Sequence, residues 1–122
     1  MTDRELLELA AKAAGIEMIG WSGMQDAFVV IREGEYGRTQ HGWNPLTDDG
    51  DALRLAVSLR LSIDHGYPPS GPWYVVAERN GCEGCYEPVC CVEDDFDDEQ
   101  FRFSATRRAI VRAAAEIGRG MK

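Results

Sequence analysis

Apolar positions along the chain fall into short blocks whose spacing alternates between helical and strand-like. Leu6, Leu9, Ala10 and Ala13 recur at three- and four-residue intervals, which places them on one face of a helix. Thr2 followed by Glu5 forms a capping box at its start, each side chain accepting from a backbone N–H that the first turn leaves unpaired, so the helix begins at about Asp3. Gly15 can take the left-handed conformation that ends it, with Ile16 packing back on the last turn. Glu17 to Trp21 and Ala27 to Arg32 are short runs rich in Ile, Val, Met and aromatic residues around the turn-forming Ser22-Gly23, the pattern of an antiparallel pair.

From Glu33 to Leu46 the periodicity vanishes into a segment holding Gly34, Gly37, Gly42 and Pro45, which predicts a loop of unusual length for a small domain. Thr47, Asp48 and Asp49 supply an N-cap and negative charge at the start of a second helix that runs to about Arg60. Leu53, Ala56, Val57 and Arg60 share one face of it, and Leu55 and Leu59 widen the stripe. Gly66, Pro68, Pro69, Gly71 and Pro72 forbid regular structure, so any strand around Leu61 to Ile63 ends before them. Trp73 to Glu78 reads as a strand, Asn80-Gly81 as a turn and Glu87 to Val92 as the returning partner. A last helix occupies Ala105 to Ile117 with Gly118 as its stop. Arg107 and Arg108 would oppose the dipole in its first turn, a conflict that a start near Asp98 removes.

The resulting order, α-β-β-α-β-β-α, is dominated by hairpins rather than crossovers. It predicts a single α+β domain over residues 1–122, with an antiparallel sheet of about four strands flanked by helices in an α/β/α sandwich.

Composition changes this picture little: 122 residues, 44% apolar and 28% charged, are the proportions of an ordinary globular domain. No apolar run approaches the roughly 20 residues that cross a bilayer. Thr2-Asp3-Arg4-Glu5 lacks the basic and apolar regions of a secretory signal, so the expectation is a cytoplasmic chain with no membrane partner. Charge is more informative. The net value is −8, with eight acidic residues and no Lys or Arg between Cys82 and Glu99, and six basic residues against Glu116 alone from Arg102 onward. A negative field disfavours nucleic acid as a partner unless the basic helix acts by itself.

Two stretches, Trp43-Asn44-Pro45-Leu46-Thr47-Asp48-Asp49-Gly50-Asp51-Ala52-Leu53-Arg54-Leu55-Ala56 and Ala105-Thr106-Arg107-Arg108-Ala109-Ile110-Val111-Arg112-Ala113, resemble a family of small phage and prophage proteins with an ABA-sandwich domain that includes the NinX-like proteins. The resemblance implies a phage-derived accessory protein inside a bacterial host, with the fold class already argued. It implies no activity and carries over no catalytic or binding residue. The cysteine segment from Cys82 to Cys91 lies outside it.

Candidate chemistry is sparse. Cys82-Glu83-Gly84-Cys85 has the spacing of half a zinc knuckle, but Cys90 and Cys91 are adjacent on a predicted strand, so at most Cys82, Cys85 and Cys90 converge, one short of a structural zinc set. Plain loop or core cysteines are the preferred reading. Asp48-Asp49-Gly50-Asp51 could draw magnesium or calcium, yet the residues that follow provide no late glutamate, and helix capping explains these acids. There is no nucleophile elbow and no glycine-rich phosphate loop with a Lys, so neither an enzyme nor a cofactor is expected.

The strongest anomaly is the predicted loop with Tyr36, Arg38, His41 and Trp43, residue types enriched where partners or planar ligands dock, although Trp43 reads first as a core anchor. The leading expectation is a non-enzymatic module that binds a host or phage protein through this loop or the acidic surface. The alternatives are a nucleotide-type small-ligand binder, with Arg38 on a phosphate and Trp43 stacking, and a metal-dependent enzyme.

Overall fold

The computed structural model describes residues 2–66, 73–79, 90–95 and 99–121. Helix α1 (Asp3–Ala14) begins and ends as its sequence dictates: the Thr2–Glu5 capping box is formed, and Gly15 takes φ 68° as the C-cap. Strands β1 (Met18–Ser22) and β2 (Ala27–Gly34) pair antiparallel, as the two β-rich runs predict. The segment expected to be a loop is instead strand β3 (Gly37–Trp43), paired with β2 over every residue from Phe28↔Trp43 to Gly34↔Gly37. Helix α2 (Asp49–Leu59) follows, capped by the Asp48 side chain. Strands β4 (Ser62–Gly66), β5 (Trp73–Glu78) and β6 (Cys90–Asp95) form a second antiparallel sheet, and α3 (Glu99–Arg119) closes the chain.

Among the described residues the order is therefore α-β-β-β-α-β-β-β-α, with two three-stranded sheets in place of the single four-stranded sheet expected. The α+β class with antiparallel pairing stands. The described helices contact one another, α3 with both α1 and α2, and α1 with α2. Helix α3 is the hub: it packs on α1, on α2 and on β5 and β6. One core runs through every layer, including Leu7 and Ala11 of α1, Phe28, Val30 and Trp43 of the first sheet, Leu55 of α2, Val75 of β5 and Val111 of α3.

Two helices turn a different face inward from the one their spacing first suggests. In α1 the buried positions are Leu7, Ala10 and Ala11, with Leu6 and Ala13 at the margin. In α2 they are Asp51, Ala52, Leu55, Ala56 and Leu59, while Leu53 and Val57 remain 62% and 68% exposed. Helix α3 starts at Glu99, so Arg107 and Arg108 lie well inside it and the dipole conflict disappears. Gly118 is not a stop but a buried contact point within α3, where an added Cβ would run into the carbonyl group of Leu9 in α1.

Candidate functional site

The first sheet has the order β1-β2-β3, so β3 is an edge strand, and among the described residues its outer edge meets no other strand. Gly34 pairs with Gly37 across the turn residues Glu35 and Tyr36, and Gly37 sits at φ 99°, a conformation that glycine takes without a Cβ clash. Residues 37–42 are all exposed. Their pairing with β2 is regular throughout, whereas the opposite edge, β1, is interrupted by a register shift between Met18 and Gly20. Irregular pairing is one way an edge is made unattractive to a further strand, and β3 lacks that protection.

Side chains alternate across a strand, so register decides which candidates can act together. Thr39, His41 and Trp43 lie opposite Arg32, Val30 and Phe28 on the core side of the sheet, while Arg38 and Gln40 lie opposite Glu33 and Ile31 on the other side. Trp43 is buried at the base of the strand, where it anchors β3 in the core. His41 Nε2 and Thr39 Oγ1 are 2.7 Å apart, and Arg38 Nη2 donates to Glu17 Oε2 at 2.5 Å in an exposed ion pair. Tyr36, at the tip, is 93% exposed. The four candidates thus do not converge. Arg38 and Trp43 occupy opposite faces, which removes the geometry that a shared phosphate-and-stacking site would need. Tyr36, Arg38 and His41 instead follow one accessible strand and its tip, with Trp43 buried at its base.

Below β3 the chain enters α2 through a polar latch that sequence reasoning credits only with capping. Asp51 is buried; its Oδ2 accepts from the Asn44 backbone N–H at 3.0 Å, and its Oδ1 accepts from Arg32 at 3.1 Å and Arg54 at 2.8 Å. Asn44, also buried, donates through Nδ2 to the Asp26 carbonyl at 2.8 Å and accepts through Oδ1 from the Leu46 N–H at 3.0 Å. Arg107 of α3 donates to the Leu46 carbonyl at 2.9 Å and to Asp49 Oδ1 at 2.7 Å. The two stretches quoted for their family resemblance therefore meet in space, and the contact ties α3 to the β3–α2 junction. Asn44 and Arg107 are the residues missed. Their signal was present in those same stretches, but hydrogen bonds spanning 61 positions leave no periodicity to read.

Asp48, Asp49 and Asp51 each have a protein partner, which accounts for that acidic run without a cation. Among the described residues no three His, Cys, Asp or Glu side chains assemble as a metal site. Cys82 and Cys85 lie outside the described residues, and Cys90 and Cys91 are placed only by backbone register, opposite Glu78 and Ala77. No described helix is long and apolar enough to cross a membrane. The chain matches no family model, no curated protein and no solved structure.

Proposed function

We propose that the chain is a non-enzymatic protein-binding module whose β2–β3 hairpin docks an extended segment of a partner onto the free edge of β3. One observation carries this reading: β3 is a regularly paired edge strand, exposed over residues 37–42, whose base is clamped in the core by Trp43 and whose tip presents Tyr36. An unpaired edge offers a row of backbone N–H and C=O groups that a partner strand satisfies, and alternating side chains then select among sequences. Tyr36 adds a large contact surface at low entropic cost, and Arg38 and His41 add polar contacts on either side of the strand. The resemblance of residues 43–56 and 105–113 to a phage family supports a partner that is a host or phage protein in a bacterial cell.

A photo-crosslinking residue placed at position 36 tests the reading in a bacterial lysate, with position 24 as control, since Met24 is 99% exposed in the β1–β2 turn. A single predominant protein should be captured from position 36 and not from position 24. Equal capture from both, or none from position 36, contradicts hairpin docking.

A further inference from the structure

Beside the hairpin, and independent of its edge, a pocket of about 180 Å³ opens between the core side of the first sheet and α2. Val30, Trp43 and Leu55, all buried, supply apolar lining, and Ala14 and Ile16 add to it from the end of α1. Among the described residues, the ionised ones lining it are Arg32 and Arg54. Both guanidiniums donate to the same oxygen of Asp51, whose side chain is only 7% exposed, so a buried carboxylate holds two cationic groups together at one pocket. The two arginine side chains themselves are 36% and 61% exposed. In the contacts the described residues make, each guanidinium commits one nitrogen to Asp51, out of five N–H donors. The two guanidiniums share the one carboxylate of Asp51, and Asp48 also stands beside Arg54 at the start of α2, so what the pocket offers is N–H donors rather than excess charge.

From this geometry we infer that the pocket between Arg32, Arg54 and Trp43 binds a small organic monocarboxylate with an apolar body about the size of one ring. Size sets the body: a cavity of roughly 150 Å³ takes one benzene ring, whereas drug-sized ligands occupy clefts of roughly 300–1,000 Å³. A nucleotide is too large. Chemistry sets the head group, because planar guanidiniums bind carboxylates through paired charge-assisted hydrogen bonds. The apolar lining distinguishes such a ligand from a bare anion, which would gain nothing from Val30, Leu55 and the indole.

Titration of the whole protein with benzoate, followed by amide and methyl NMR, tests the inference. Benzoate should saturably shift resonances of Ala14, Val30 and Leu55, with benzamide and inorganic phosphate each binding at least about tenfold more weakly, a difference of about 1.4 kcal/mol. Arg54→Gln should raise the benzoate Kd about tenfold, and Arg32→Gln provides the same readout should the first variant fold poorly. Leu53→Gln, on the exposed face of α2, should leave the Kd unchanged. Benzamide binding as well as benzoate would show that the arginines take no part. Phosphate binding as well as benzoate would show that the apolar lining takes none. Either result, or the absence of saturable shifts at the pocket, overturns the inference.

Discussion

At the scale of single residues, the structure separates side chains that hold the hairpin from those that decorate it. Trp43 belongs to the first kind. Trp43→Ala should lower stability by about 3–5 kcal/mol, the range for deleting a buried aromatic. The Arg38→Ala, His41→Ala double variant should remain within about 0.5 kcal/mol of the parent, as exposed changes away from caps and cores usually do. Urea denaturation distinguishes the two, and comparable losses would mean that the exposed edge is itself structural. A second pair probes the latch. Asp51→Ala leaves the buried Asn44 N–H without its acceptor and should cost about 1–3 kcal/mol. Asp49→Ala removes only an exposed partner of Arg107 and should cost less than about 1 kcal/mol. A loss for Asp49→Ala equal to that for Asp51→Ala would contradict the burial argument. Residues whose partners lie within a turn, such as Thr2 with Glu5 or Asp48 with the Asp51 N–H, were legible in the sequence. Asn44 and Arg107 were not, since their roles depend on packing that brings distant segments together.

At the scale of elements, what hid β3 is the property that makes it a candidate site. A strand announces itself by apolar–polar alternation, and alternation requires one face to be covered. Along Gly37–Gly42 neither face is covered, so the strand reads as a polar, glycine-rich loop until Trp43 reaches the core. The inward face of α2 was ambiguous for a different reason: Leu53, Leu55, Val57 and Leu59 surround much of the helix. A buried ion-paired Asp51 sits on the side that turns inward, while Leu53 and Val57 turn outward. Helix α3 carries the sharpest element-scale test. In an unhindered helix Gly→Ala stabilises by roughly 1 kcal/mol. At position 118 the methyl group would collide with the Leu9 backbone, so α1 and α3 must separate and Gly118→Ala should instead destabilise by about 1–3 kcal/mol. A higher denaturation midpoint for Gly118→Ala would show that the two helices are not in close contact there.

At the scale of the whole molecule, the α+β class and the antiparallel pairing could be read from the sequence, because short strands separated by turn residues admit little else. The count of strands and the division into two sheets could not. They depend on β3, whose residues 37–42 have no covered face, and on the extent of β4, whose one apolar core contact, Ile63, is too little to mark a strand. The candidate residues were named from the sequence, but their arrangement was not: the predicted loop is a strand that spaces Arg38 and His41 along its length, with Tyr36 at its tip, and buries Trp43. The same exposure explains both the misreading and the proposed function. Backbone amide exchange of the protein with and without its captured partner is the most direct test of strand docking. The amides of Arg38, Gln40 and Gly42, which alternate to the outer edge, should slow markedly on binding while those of the exposed β1–β2 turn stay unchanged. Unaltered exchange along β3 in a saturated complex would contradict strand docking.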